Sequence, residues 1–199
     1  FHSFNEMVYL ARVLLSQGRM NDAEKIIQVA ISGYNELDLP SASGYVCYAK
    51  YILGRIFIAK SEYSNAMGQY DFFGGMKDSN RYHYDIYYSR NLDVIFALIM
   101  TGRISEAMES IESTHKNSEN YLGKGIPLSA GLLALRGMAN NALNNLESAY
   151  RDFMDSIPAL AKSRSYDENR FLNHRYKIIL ESYLNLLQKL RGTVIEGKL

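Results

Sequence analysis

A phrase of about twelve residues recurs four times along the chain, and no other feature restricts the fold as strongly. "SQGRMNDAEKII" (Ser16–Ile27) and "MTGRISEAMESI" (Met100–Ile111) share Gly-Arg, a following hydrophobe, an alanine and a closing isoleucine. "AKSEYSNAMGQY" (Ala59–Tyr70) and "ALNNLESAYRDF" (Ala142–Phe153) align with them. The shared alanines are Ala23, Ala66, Ala107 and Ala149, at steps of 43, 41 and 42 residues. Repetition at a near-constant period marks an array of supersecondary units, each burying its apolar face against its neighbours.

Each phrase follows a second apolar pattern. Met7, Leu10, Ala11 and Leu14 recur at spacings of three and four, one face of a helix. Gly18 then breaks the pattern, and a second helix carries Ala23, Ile27 and Ala30. The later units read alike: Leu53, Gly54 and Phe57 before Ala66, Tyr70 and Phe73; Val94, Ile95 and Leu98 before Ala107 and Ile111; Leu133 and Gly137 before Ala149 and Phe153. No segment alternates with period two, so strands are not expected. Small residues at a helix crossing let two backbones approach closely, and Gly18 and Gly102 suit a helix end, where glycine adopts a left-handed conformation at little cost. The turn-rich stretches Glu36–Gly44, Gly74–Asn80 and Asn117–Pro127 fall between units. The pattern predicts an all-α chain of about four helix-turn-helix units (4–40, 41–78, 79–122 and 126–164) and a C-terminal capping helix over 167–190, in one domain.

These units resemble tetratricopeptide repeats, which pair a small residue in the first helix with an alanine in the second. The resemblance covers Phe4–Ser156 and implies a right-handed α-α superhelix, a tetratricopeptide-like solenoid. The sequence stands as a long-period variant: its step is about 42 residues where the usual one is about 34, it has no Trp, and Pro158 is the only proline near a unit's end in the family manner. Longer units of this kind resemble arrays found in bacterial signalling and transcription regulators. In co-chaperones of the family, lysines and asparagines clamp a C-terminal carboxylate. The matching places here hold Val8, Arg12 and Ile52, a single cation, which argues against that activity.

Composition narrows the chemistry. With 22 basic and 21 acidic residues among 199, the chain has no overall charge to attract nucleic acid or an anionic membrane surface. No apolar run approaches the roughly 20 residues of a membrane helix, and no secretion signal precedes the first unit. Cys47 is the only cysteine, so neither a disulfide framework nor a thiolate metal cluster is expected, and a reducing, cytoplasmic setting is the natural reading. The chain begins at Phe1 rather than Met, which suggests a fragment of a longer protein.

Catalytic patterns are lacking. His2, His83, His115 and His174 show no ligand spacing on one helix, so no metal is expected. Gly123–Gly125 ("GKG") lacks the residues of a phosphate-binding loop and reads as a joint between units. Cys47 reads as a small buried hydrophobe. Glu106, Glu109 and Glu112 read as a solvated helix face. No catalytic residue and no cofactor is predicted.

The concave wall of such an array is formed by its first helices. Repeat alignment places Arg12, Arg55, Phe96, Met138 and Leu180 in one groove-facing row. Val8, Tyr51, Leu92, Ala134 and Tyr176 flank it on one side, and Leu15, Ile58, Ile99, Asn141 and Tyr183 on the other. The run "RYHYDIYYSRN" (Arg81–Asn91) contributes Tyr84 and Tyr87 to the core stripe of Val94 and Leu98, and Tyr88 to the groove beside Leu92. The predicted partner-binding residues are therefore Arg12, Tyr51, Arg55, Tyr88, Leu92 and Phe96. They suit a peptide with acidic residues near one end and hydrophobes near the other. The competing reading packs Leu92, Phe96 and Ile99 against the next helix.

Two functions fit. One is a non-catalytic scaffold binding a peptide or partner protein in the groove, for which a homo-oligomer is also compatible. The other is a regulatory module of a larger signalling or transcription-regulatory protein, sensing a small molecule or peptide. An enzyme is not expected.

Overall fold

The computed structural model describes residues 2–41, 43–122, 129–164 and 170–195. The Gly123–Gly125 loop, Pro127 and the tail after Ile195 lie outside the described residues. Among the described residues the regular structure is entirely helical, as the repeat predicts. Two compact units divide the chain: Phe1–Thr101 with Asn169–Phe171, and Gly102–Glu168 with Leu172–Leu199.

The first unit holds α1 (His2–Ser16), α2 (Met20–Glu36), α3 (Gly44–Ala59), α4 (Tyr63–Gly74), the short α5 (Arg81–Tyr84), a π-helical turn at Asp85–Ser89, and α6 (Leu92–Met100). The second holds α7 (Ile104–Leu122), α8 (Ala130–Ala142), α9 (Leu146–Arg164) and nearly all of α10 (Arg170–Ile195). α1 packs on α2, α3 on α4, and α8 on α9, while α3 also meets α1, α2 and α6.

The four phrases start their helices at equivalent places. α2, α4, α7 and α9 each begin three residues before the shared alanine, at Met20, Tyr63, Ile104 and Leu146. Ala23, Ala66, Ala107 and Ala149 expose none of their surface. The residues one turn later, Ile27, Tyr70, Ile111 and Phe153, are equally buried. Five residues before each alanine the backbone is left-handed: φ is 77° at Gly18, 62° at Ser61, 77° at Gly102 and 61° at Asn144. At Gly18 the Arg19 amide reaches back to the Leu14 carbonyl (2.9 Å) and the Gly18 amide to that of Leu15 (3.0 Å), the hydrogen-bond pair that closes a helix end. The pair recurs at Ser61 and Glu62, and at Asn144 and Asn145.

Small residues in the first helices lie under large ones in the second. A Cβ on Gly54 would stand 2.6 Å from the Tyr70 ring, and one on Gly137 3.1 Å from Phe153. At Gly54 any larger residue would collide with the aromatic above it, and at Gly137 the fit is tight. In the second unit Arg136 and Asp152 tie α8 to α9 through two hydrogen bonds of 3.0 and 2.6 Å, and Asn140 donates to the same buried carboxylate at 3.0 Å. Ser43 and Ser129 open α3 and α8 by accepting from the Val46 and Leu132 amides.

Four details differ from the sequence reading. On α1, Val8 (2% exposed) and Leu15 (3%) are buried and Leu10 (46%) faces outward, so the buried arc is turned by about one residue. α1 is covered by both α2 and α3, which widens the arc beyond one stripe. Secondly, Tyr84 and Tyr87 do not continue α6 by whole turns. The Asp85 carboxylate gathers Arg81 (3.1 Å), Ser89 (3.2 Å) and Arg90 (3.5 Å), winding a π-helical turn that ends at Arg90, and Asn91 then caps α6. Thirdly, Ile58, Ile99, Ala134, Met138 and Asn141, expected to flank or line the groove, are buried. Finally, α8 (Ala130–Ala142) buries Leu132 and Leu135, whereas Leu133, expected on the core stripe, is only half-buried.

Replacing Ala107 by leucine overpacks a site with no free surface and is expected to cost roughly 1–3 kcal/mol. Ala142→Leu, on an exposed helix end, is expected to stay within about 0.5 kcal/mol. Urea denaturation of the two variants measures the contrast, and equal midpoints would contradict the repeat register.

Candidate functional site

α3 carries three tyrosines of the candidate site. Ser43 starts the helix, and Tyr45, Tyr48 and Tyr51 follow at steps of three, along one side. Tyr48 meets Tyr9 of α1 (ring centroids 6.1 Å apart) and Tyr51 (6.4 Å). Tyr51 continues to Tyr87 of the π-helical turn at 5.5 Å, and Tyr87 to Phe73 of α4 at 5.2 Å. Tyr45 meets Tyr34 of α2 at 6.3 Å.

At one end of this series a cleft of about 260 Å³ opens between α1, α2 and α3, lined by Asn5, Val8, Tyr9, Tyr34, Gly44, Tyr45 and Tyr48. Its floor is Val8 and Tyr34, both buried; its walls are Tyr9 and Tyr45, each about half exposed. The Tyr34 hydroxyl donates to Asn5 Oδ1, and burial raises the Tyr34 pKa above the ordinary phenol value. At the rim Arg12 donates to the Tyr48 hydroxyl at 3.3 Å, and its guanidinium carbon lies 5.7 Å from the Tyr9 ring centre. Both partners are neutral.

Arg55 occupies the repeat position of Arg12 but has a different role. Its Nε lies 3.2 Å from Asp93 Oδ2, with side chains only 17% and 8% exposed, and the Tyr51 hydroxyl donates to the same oxygen at 3.2 Å. The pair ties α3 to α6. Burial, then the Asp93 charge, pushes the Tyr51 pKa up to about 12.

The predicted partner-binding residues are thus divided. Arg12 is exposed, Tyr51, Tyr88 and Leu92 are half-buried, and Arg55 is engaged with Asp93. Tyr88 stacks on Tyr84 at 5.6 Å. Phe96 is wholly buried and meets Tyr63 edge-on at 5.9 Å, so it is a core residue and not a groove contact: the competing helix-packing reading accounts for it. Sequence reasoning missed Asn5, Tyr9, Tyr34, Tyr45 and Tyr48. The three-residue steps of Tyr45, Tyr48 and Tyr51 were a visible signal for part of this set, whereas Tyr9 and Tyr34 join it only through packing.

A second cluster resembles a nucleophilic arrangement without its chemistry. Cys47 Sγ lies 3.4 Å from His83 Nδ1, and Asn80 Nδ2 reaches the same nitrogen at 3.0 Å. Asn80 Oδ1 accepts from the His83 amide, which turns its Nδ2 toward the ring, and the Cys47 thiol also reaches the Ser41 carbonyl at 3.8 Å. Cys47 is fully buried, and burial pushes its thiol up to about 11, so the thiolate that a nucleophile needs is not formed near neutrality. Among the described residues no group of three or more His, Cys, Asp or Glu is placed to hold a metal ion, and no helix is long and apolar enough to cross a membrane.

No protein-family model, curated protein or solved structure matches this chain.

Two predictions follow the geometry of Tyr51 and the arginines. Because the folded Tyr51 pKa lies above the unfolded value of about 10, its contribution is complete below pH 10 and lost as the pH rises toward 12. Tyr51→Phe is expected to flatten part of the alkaline decline in the urea midpoint, and an unchanged profile would contradict this. Arg55→Glu sets a carboxylate against buried Asp93 and is expected to cost about 3 kcal/mol or more. Arg12→Glu is expected to stay within about 0.5 kcal/mol. Equal losses in thermal melts would contradict the division between them.

Proposed function

We propose that this chain is a non-catalytic interaction module: a right-handed, tetratricopeptide-like superhelix that binds a peptide or partner protein through the first helices of its N-terminal hairpins. Support for the family likeness lies in the four-fold coincidence of left-handed turn, helix start and buried alanine. The observation that carries the binding reading is Arg12 beside exposed Tyr9 and half-buried Tyr48. Tyrosine and arginine are the residue types that dominate binding hot spots, and tyrosine offers a large contact area for few rotatable bonds.

The cleft between α1, α2 and α3 favours a second reading, a regulatory module that senses a small molecule or peptide for a larger signalling protein. In both readings the setting is cytoplasmic and the partner is neither nucleic acid nor membrane. The test compares proteins retained from source-cell extract by the immobilised chain, by Arg12→Glu, and by Arg19→Glu as a control at an exposed arginine on the first turn. A protein held by the first and third but not the second is the expected result. Identical retention by all three would count against a surface centred on Arg12.

A further inference from the structure

We propose that the tyrosine-lined cleft is an anchor pocket for one aromatic side chain of a partner segment, with a carboxylate beside that side chain meeting Arg12. This rests on the interaction reading above and narrows its ligand. Size comes first. At about 260 Å³ the cleft is smaller than the roughly 300–1,000 Å³ filled by drug-sized ligands. It suits a single side chain.

The lining then selects what kind of side chain. Tyr9 with Tyr48, and Tyr34 with Tyr45, present rings tilted by 51° and 38° with centres 6.1 and 6.3 Å apart. These pairs already sit at the separations of about 4.5–7 Å that aromatic rings prefer, and an aromatic side chain entering the cleft extends the same set of edge and face contacts. Two of the four hydroxyls are engaged, since Tyr34 donates to Asn5 and Tyr48 accepts from Arg12. What remains toward the cleft is largely ring surface.

Charge decides between an aromatic anchor and a cation. Four tyrosine rings would also suit a quaternary ammonium group. Among the described residues no carboxylate lines the cleft, however, and Arg12 places positive charge at its rim. The other arginines between Phe1 and Thr101, Arg19, Arg55, Arg81 and Arg90, each have a carboxylate within 3.5 Å. Among the described residues Arg12 has only the Tyr48 hydroxyl and the Tyr9 ring. An un-neutralised guanidinium beside a neutral aromatic cleft repels a cation and attracts an acid.

The test uses the whole chain, labelled with ¹⁵N, and three probes: N-acetyl-phenylalanine, N-acetyl-phenylalanine amide and tetramethylammonium. The acid is expected to move the amide signals of Asn5, Gly44, Tyr45 and Tyr48 saturably. Its amide is expected to bind about two- to fivefold more weakly, the worth of one exposed ion pair, and tetramethylammonium to leave these signals in place. Arg12→Gln should remove the preference for acid over amide, and Tyr45→Ala, at an exposed wall, should weaken both. The dispersion of the remaining signals reports whether each variant is folded. Absence of saturable shifts at the cleft, stronger binding of tetramethylammonium, or a preference for acid that survives Arg12→Gln would each overturn the proposal. A partner captured through Arg12 while the probes leave the cleft unmoved would overturn the pocket and leave the interaction reading standing. Saturable, acid-selective shifts sustain the pocket whether or not a partner is captured.

Discussion

How closely the helices approach in the α1–α2, α3–α4 and α8–α9 hairpins is set by a buried alanine three residues into the second helix and by a small residue of the first, Ala11, Gly54 or Gly137. Ala23, Ala66, Ala107 and Ala149 have no exposed surface. A larger side chain would hold the helices apart and loosen every apolar contact beyond the crossing, because interiors this dense do not absorb an added methylene without strain. The left-handed residue five positions earlier aims the second helix back along the first. The turn and the crossing are therefore one constraint seen at two points.

Within that constraint the two sides of the crossing compensate in volume. Where the first helix offers glycine, at Gly54 and Gly137, the second carries Tyr70 and Phe153 above it. Where it offers Ala11, the second carries Ile27.

Local features of the fold were legible in the sequence, and features made by distant packing were not. The period, the alanines and the second-helix stripe of Ala23, Ile27 and Ala30 depend on spacing within one helix, and the structure keeps them. Gly18 and Gly102 announced their turns because glycine is the usual left-handed residue; Ser61 and Asn144 take the same conformation with far weaker signals. The phase of α1 was misread because α2 and α3 both cover it, so Val8 and Leu15 are buried along with Ala11 and Leu14. The π-helical turn comes from Asp85 collecting three partners, which hydrophobic spacing does not record. In the candidate site, Arg12 was found by repeat alignment, whereas the cleft needed Tyr34 from α2 and Tyr9 from α1 to meet the tyrosines of α3.

Arg12 and Arg55 illustrate how repeat-equivalent residues acquire different roles. Each stands eleven residues before its shared alanine. For Arg55 the neighbouring first helix supplies Asp93, fourteen residues before Ala107, and the pair is withdrawn from solvent. The equivalent place on α3, fourteen residues before Ala66, is Ile52, which is wholly buried and apolar. Paired charges of low exposure hold a register more than they add stability, since desolvation cancels much of their attraction. With Ile52 in place of a carboxylate, no such pairing is available to Arg12, and its guanidinium rests on the Tyr48 hydroxyl and the Tyr9 ring instead. One substitution between equivalent positions thus separates an arginine that joins helices from one whose charge stays directed outward, next to a tyrosine-lined cleft.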